Sequence, residues 1–201
     1  SIPHEPAKIS VLFFLNELLL KCLHEEEHNP ELFSFLHETI QTLDSSEKNY
    51  NNLHLIFLVR FSRFLGFFPQ GNYSETNSVF DLREGKFIVK EPMHLDFIKK
   101  ENSKLLSKLI FSNYYSMNNL ALSGKERKNL LDIILRFYEL HLSHMGSISS
   151  QKVLEQVFAW NFVTFVIINI LKPPSMKKVY LIISFLFVAI YANTQAVIVI
   201  N

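Results

Sequence analysis

Apolar residues recur at Ile9, Leu12, Phe13, Leu15, Leu19, Leu20 and Leu23, a spacing that predicts a helix over 9–23. Most of its circumference is apolar, so it is expected to be the central helix. Asn29, Pro30 and Glu31 supply an N-cap, a first-turn proline and a first-turn acid for a second helix reaching about residue 43. The polar stretch 44–52 reads as a loop. A third helix is predicted over 53–65, closed by Gly66 at the C′ position. The period then changes. Val79 to Leu82 and Lys86 to Val89 flank Arg83-Glu84-Gly85, the pattern of a β-hairpin. Two strands are not stable alone, so this hairpin is expected to lie on the helices. Helices are expected to resume near Leu95 and again from Ser103 to about Phe111. Ser123-Gly124-Lys125-Glu126 is a capping box. It opens a helix to about His144, with Leu130, Leu131, Ile133, Ile134, Phe137, Leu140 and Met145 on its apolar side and Gly146 as its stop. Ser149 or Ser150 caps a last short helix through Phe158. The predicted fold class is mainly α: a bundle of about six helices with one small inserted β-hairpin.

Composition supports this. Of 201 residues, 48% are hydrophobic, and 19 Phe stand against 5 Gly, which favours a helical core over disorder or an all-β fold. The net charge of +1 does not announce a nucleic-acid protein. One cysteine, Cys22, rules out an internal disulfide and a cysteine-rich zinc site. Charge is unevenly spread: residues 159–201 hold Lys172, Lys177 and Lys178 and no acid. A boundary is therefore expected near Phe158, with a domain over 1–158 and an apolar tail over 159–201. Within the tail, Met176-Lys177-Lys178, the apolar run 179–192 and Thr194-Gln195-Ala196 follow the order of a secretory signal peptide. The run is shorter than the ~18–20 residues that span a bilayer. A signal belongs at an N-terminus, so the reading here is translated read-through into a neighbouring gene. The alternative is a membrane-tethered helical adaptor that uses 159–201 as its anchor. Ser1 in place of Met fits a piece of a longer chain.

Enzyme chemistry finds little footing. His24-Glu25-Glu26-Glu27-His28 matches the zinc-protease pattern of two histidines and a general base. His28, however, directly precedes the Asn29-Pro30 start of the next helix, so the pair reads as a solvated acidic helix end. His141 and His144 lie three apart near a helix C-terminus, where the dipole favours a cation without any metal. Cys22, between Leu20 and Leu23, reads as a small buried hydrophobe. No nucleophile elbow or phosphate-binding glycine loop is present in the sequence. No catalytic residue, metal or cofactor is expected, and no small-molecule substrate.

Basic residues beside aromatics are the remaining lead. Arg60 and Arg63 share a helical face, flanked by Phe57, Phe61 and Phe64. Lys125, Arg127 and Lys128 crowd the first turn of the capped helix, and Arg136 follows further along it. Arg60, Arg63, Phe64, Arg127 and Arg136 are the candidate binding residues. An acidic peptide ending in an aromatic suits such a surface, with a pocket for the ring and guanidinium groups for the carboxylates. The plainer reading is a wet helix surface with snorkelling stems.

Several blocks then occur in a telling order: Leu18 to Leu36 containing Asn29-Pro30-Glu31-Leu32-Phe33, the corner Leu65-Gly66-Phe67-Phe68-Pro69, Phe80 to Phe87, Arg127 to Leu142, and the closing Ser150-Gln151-Lys152-Val153-Leu154. Over about residues 1–158 the chain resembles the C-terminal helical domain of the bacterial RecO family. The resemblance implies a cytoplasmic, non-enzymatic recombination mediator. In that family an N-terminal OB-fold binds DNA, and the protein works with RecR to displace single-strand-binding protein and load RecA. The helical domain takes up the acidic, Phe-terminated tail of single-strand-binding protein. Two departures follow. Many members carry a four-cysteine zinc element after the corner, whereas residues 67–92 hold no cysteine here. A metal-free version is expected, its hairpin held by Phe80, Leu82, Phe87 and Ile88. No OB-fold is present in this sequence, so direct binding of single-stranded DNA is expected to be weak.

Overall fold

The computed structural model describes residues 2, 5–23, 28–47, 50–143 and 145–159. These belong to one compact unit, Ser1–Ala159. The apolar tail, with its signal-like segment and the alternative membrane anchor, lies outside the described residues. So do His24 and His144, and with them the two histidine pairs.

Among the described residues six helices form: α1 (Pro6–Cys22), α2 (Pro30–Ser45), α3 (Leu53–Phe64), α4 (Glu101–Ile110), α5 (Gly124–His141) and α6 (Gln151–Ala159). Local chemistry sets their ends. Asn29 Oδ1 accepts from the Leu32 amide at 2.9 Å, with Pro30 at the first helical position. The Ser123–Glu126 capping box is present in both directions. Gly66 follows α3 at φ 85°, a left-handed conformation that a side chain would strain.

The central helix is α3, not α1. Nine of its 12 residues, Leu53 to Val59 with Phe61 and Ser62, are buried. On α1, Val11, Phe14, Leu15 and Leu18 enter the core, but Phe13 and Leu20 stay 65% and 73% exposed. The largely apolar circumference of α1 points to the centre, and only the neighbours put α3 there instead. α3 meets α2, α4 and α5, whereas α1 meets chiefly α6. Between α3 and α5, the buried Tyr138 hydroxyl donates to the Leu58 carbonyl at 2.6 Å.

The inserted β element has three strands, not two: β1 (Val79–Asp81), β2 (Lys86–Ile88) and β3 (Phe97–Lys99), antiparallel in the order β2-β1-β3. The helix expected near Leu95 is replaced by β3, because Asp81 pairs with Phe97 and Val79 with Lys99. Three residues carry no readable period, and the pairing partner lies some sixteen residues back. Asp81 Oδ1 accepts from the Arg83 and Glu84 amides and shapes the hairpin turn. Gly85 closes it at φ 65°, where a Cβ would sit 3.4 Å from the Phe137 ring. Phe80 and Leu82 are buried, and Phe87 packs against the core. Ile88 is half-buried. Asp96 then ties the sheet to α5: Arg83 reaches one carboxylate oxygen at 2.7 Å and Arg136 the other at 2.9 Å. The Arg83 and Arg136 hydrogen bonds hold the Asp96 carboxyl below its ordinary range. α5 ends at His141, three residues earlier than expected, where Leu142 turns to extended backbone.

Candidate functional site: an arginine–aromatic surface on α2 and α3

The last two turns of α3 bring Arg60 to the edge of an aromatic stack and Arg63 to Phe68, just past the helix. Phe35 of α2 is its middle member. Its ring lies 5.2 Å from Phe57, 5.2 Å from Phe64 and 6.4 Å from Tyr114. All three pairs lie within 29° of parallel, the offset-stacked geometry that aromatic quadrupoles favour. Arg60 places its guanidinium 5.7 Å from the Tyr114 ring centre, and Arg63 places its own 4.4 Å from Phe68. Tyr114 is fixed by a 2.7 Å hydrogen bond with Thr39, whose hydroxyl also donates to the Phe35 carbonyl. Burial pushes the Tyr114 phenol up, so it stays protonated.

Beside this stack is an open hollow of about 430 Å³, lined by Pro30, Glu31, Ser34, Phe35 and Glu38. The Phe35 ring is the shared wall between the hollow and the stack. Unlike Arg83 and Arg136, neither Arg60 nor Arg63 is in an ion pair among the described residues. Phe35 and Pro30 supply the apolar part of the hollow, and Arg60 reaches the stack behind it through Tyr114. Glu31 and Glu38 line the hollow itself and set a polarity across it.

The five candidate residues do not share one surface. Arg60, Arg63 and Phe64 come together. Arg127 sits elsewhere: its Nε donates to Asn52 Oδ1 at 3.0 Å and its Nη2 to the Leu122 carbonyl at 3.1 Å. Burial pulls its pKa down. Its guanidinium lies 5.9 Å from the Phe158 ring, not near Phe64. Arg136 is spent on Asp96 and Glu139. The single arginine-edged slot expected from the sequence therefore resolves into three separate places. Sequence reasoning missed Phe35, Phe68 and Tyr114. Only Phe35 left a signal, four residues before Thr39 on the inner face of α2; Tyr114 lies in a loop without period.

The lone cysteine matches its reading. Cys22 is buried, and burial pushes its thiol up to about 12. His141 stacks on Phe67 and its Nδ1 lies 2.8 Å from the Phe137 carbonyl. Among the described residues no group of three or more His, Cys, Asp or Glu could hold a metal ion. Among them, too, no helix is long and apolar enough to cross a membrane.

Comparison with known proteins adds a family. The family described as Recombination protein O C terminal matches residues 3–150. The DNA repair protein RecO of Azobacteroides pseudotrichonymphae is 36% identical over 158 residues, covering 79% of this chain and 66% of that protein. The RecO proteins of Phocaeicola vulgatus and Flavobacterium psychrophilum are 35% and 32% identical over 159 and 160 residues, each covering 79% of this chain and 66% and 65% of the relative. The chain thus spans just under two thirds of the length of these relatives. No solved structure matches it.

Proposed function

Since the chain belongs to the RecO C-terminal family, we propose that it serves DNA repair as a binding module, with the Arg60–Arg63 surface as its peptide site. Its partner is an acidic peptide ending in an aromatic residue, the chemistry of the single-strand-binding protein tail. One observation carries this reading: Arg60 and Arg63, in no ion pair among the described residues, lie over aromatic rings, Arg60 over Tyr114, whose stacking partner Phe35 walls a hollow. The terminal ring lies on Phe35 and Phe64, and the carboxylates turn toward Arg60 and Arg63, away from Glu31 and Glu38. A charge-assisted contact of this kind is strong when bidentate and partly dry, and it falls with salt. In this role the domain recruits a recombination mediator to coated single strands, with RecR and RecA as downstream partners and direct DNA contact secondary.

The test is calorimetric titration of the chain with an acidic peptide ending in Phe. Binding in the roughly micromolar range, weakened by added salt, is expected. The double variant Arg60→Ala, Arg63→Ala loses at least about tenfold in affinity. Unchanged affinity in that variant would remove the site from this surface.

A further inference from the structure

Arg127, apart from the surface above, has aromatic surroundings of its own. The Phe158 ring, near the end of α6, lies parallel to His54 within 7° at 5.4 Å between centres. Tyr50 meets it edge-on at 6.4 Å, and the Arg127 guanidinium is 5.9 Å from its centre. A small void of about 10 Å³ remains here, bounded by His54, Gly124, Arg127, Lys128, Leu131 and Phe158 among others. His54 is 1% exposed, and its Nδ1 has no hydrogen-bond partner among the described residues. Gly124 is the first residue of α5, where the capping box takes the Glu126 amide and leaves those of Gly124 and Lys125 to other partners.

The walls and the occupant have separate supports. Asn52 donates to the Leu120 carbonyl and accepts from Arg127, which also donates to the Leu122 carbonyl. These bonds cross-link the start of α3, the loop before α5 and α5 itself without any help from α6. Phe158 comes from the last turn of a nine-residue helix. One turn earlier, Leu154 is fully buried and Glu155 pairs with Lys128. α6 is thus anchored one turn before Phe158, by contacts that do not involve that ring. An ordinary core ring sits among apolar walls. This one sits between an unpaired imidazole, a guanidinium and the positive end of an 18-residue helix.

We propose that this is a second binding socket, for an aromatic ring carrying a carboxylate, and that Phe158 is its resident plug. It rests on the peptide reading above and extends it: with the Arg60–Arg63 surface holding one peptide, the terminal aromatic residue of a second acidic peptide displaces Phe158. The incoming ring slots against His54 and Arg127. Its carboxylate faces the Gly124 and Lys125 amides at the start of α5, a group that Phe158, in mid-chain, lacks. A plugged socket lowers apparent affinity by the fraction of time it stands open. The end of α6 is thus an internal competitor for the partner.

The full chain with Phe158→Ala tests this, through thermal unfolding with 3-phenylpropionate and with uncharged 3-phenylpropanol. The variant is expected to melt lower than wild type. Phenylpropionate restores its melting temperature, phenylpropanol restores less, and wild type shifts little. The acidic peptide ending in Phe binds the variant roughly tenfold more tightly than wild type. A folded variant that gains nothing from phenylpropionate and binds the peptide no better overturns the proposal, Phe158 then being plain core packing. If Phe158→Ala fails to fold, Phe158→Leu keeps the apolar fill without the aromatic face and takes the same two measurements. The two readings fail separately. Rescue by phenylpropionate, with peptide binding tightened by Phe158→Ala and unchanged by Arg60→Ala, Arg63→Ala, upholds the socket and sinks the first site. Peptide binding lost in the Arg60, Arg63 variant, with Phe158→Ala inert in both assays, does the reverse.

Discussion

His54 is the residue whose ionisation most depends on the fold. Burial above all, with the Arg127 charge acting in the same direction, lowers its pKa from 6.5 to about 3. The native state therefore holds a neutral imidazole while the unfolded chain takes up a proton as pH falls below about 6.5. Stability is at its full value above that pH and is lost progressively on the way down to about 3. The loss between pH 7 and pH 5 is expected to be about 2 kcal/mol from this one group. The window is informative because Glu5, Glu17, Asp96 and Glu126, all held below their ordinary values, titrate under it. Urea unfolding at the two pH values measures it, with His54→Leu as the variant that flattens the dependence. A wild-type curve with no such slope would contradict a neutral buried imidazole.

At the scale of elements, what the residues signalled locally appears in place. Asn29-Pro30 opens α2, Ser123 opens α5, Gly66 follows α3 and Gly85 closes the β1–β2 turn. Each works through atoms within about four residues, so the sequence carries the whole cause. Ser123→Ala removes the acceptor for the Glu126 amide and the anchor of the returning Glu126 carboxylate. A loss of about 1 kcal/mol of unfolding free energy is expected, read from the urea midpoint at constant slope. Ser123→Asp keeps an acceptor and should recover most of it. β3 was illegible for the opposite reason. Phe97–Lys99 is a strand only because β1 offers an open edge. The rank of α1 and α3 was illegible too, since an apolar circumference does not say how many helices surround it.

At the scale of the molecule, one core joins the six helices among the described residues, from Val11 on α1 to Leu154 on α6, with the sheet attached through Phe80 and Leu82. It belongs to one compact unit, Ser1–Ala159. The chain ended after Ala159 should therefore still unfold in one cooperative step with a melting temperature near that of the full chain. A shallow or multi-step transition in the shortened chain would place residues 160–201 inside the folding unit.

By itself, the amino-acid sequence determined the helical class, most helix ends, the hairpin turn, the burial of Cys22 and the family. Those follow from periodicity, capping and block order, all of which are read along the chain. Tertiary structure alone decided which arginine meets which ring. Arg60 reaches Tyr114 and Arg127 reaches Asn52 across 54 and 75 positions, and Arg136 is consumed by Asp96, 40 positions away. Such pairings depend on how helices pack and where loops return them. A side chain with several donors records none of that in its own identity.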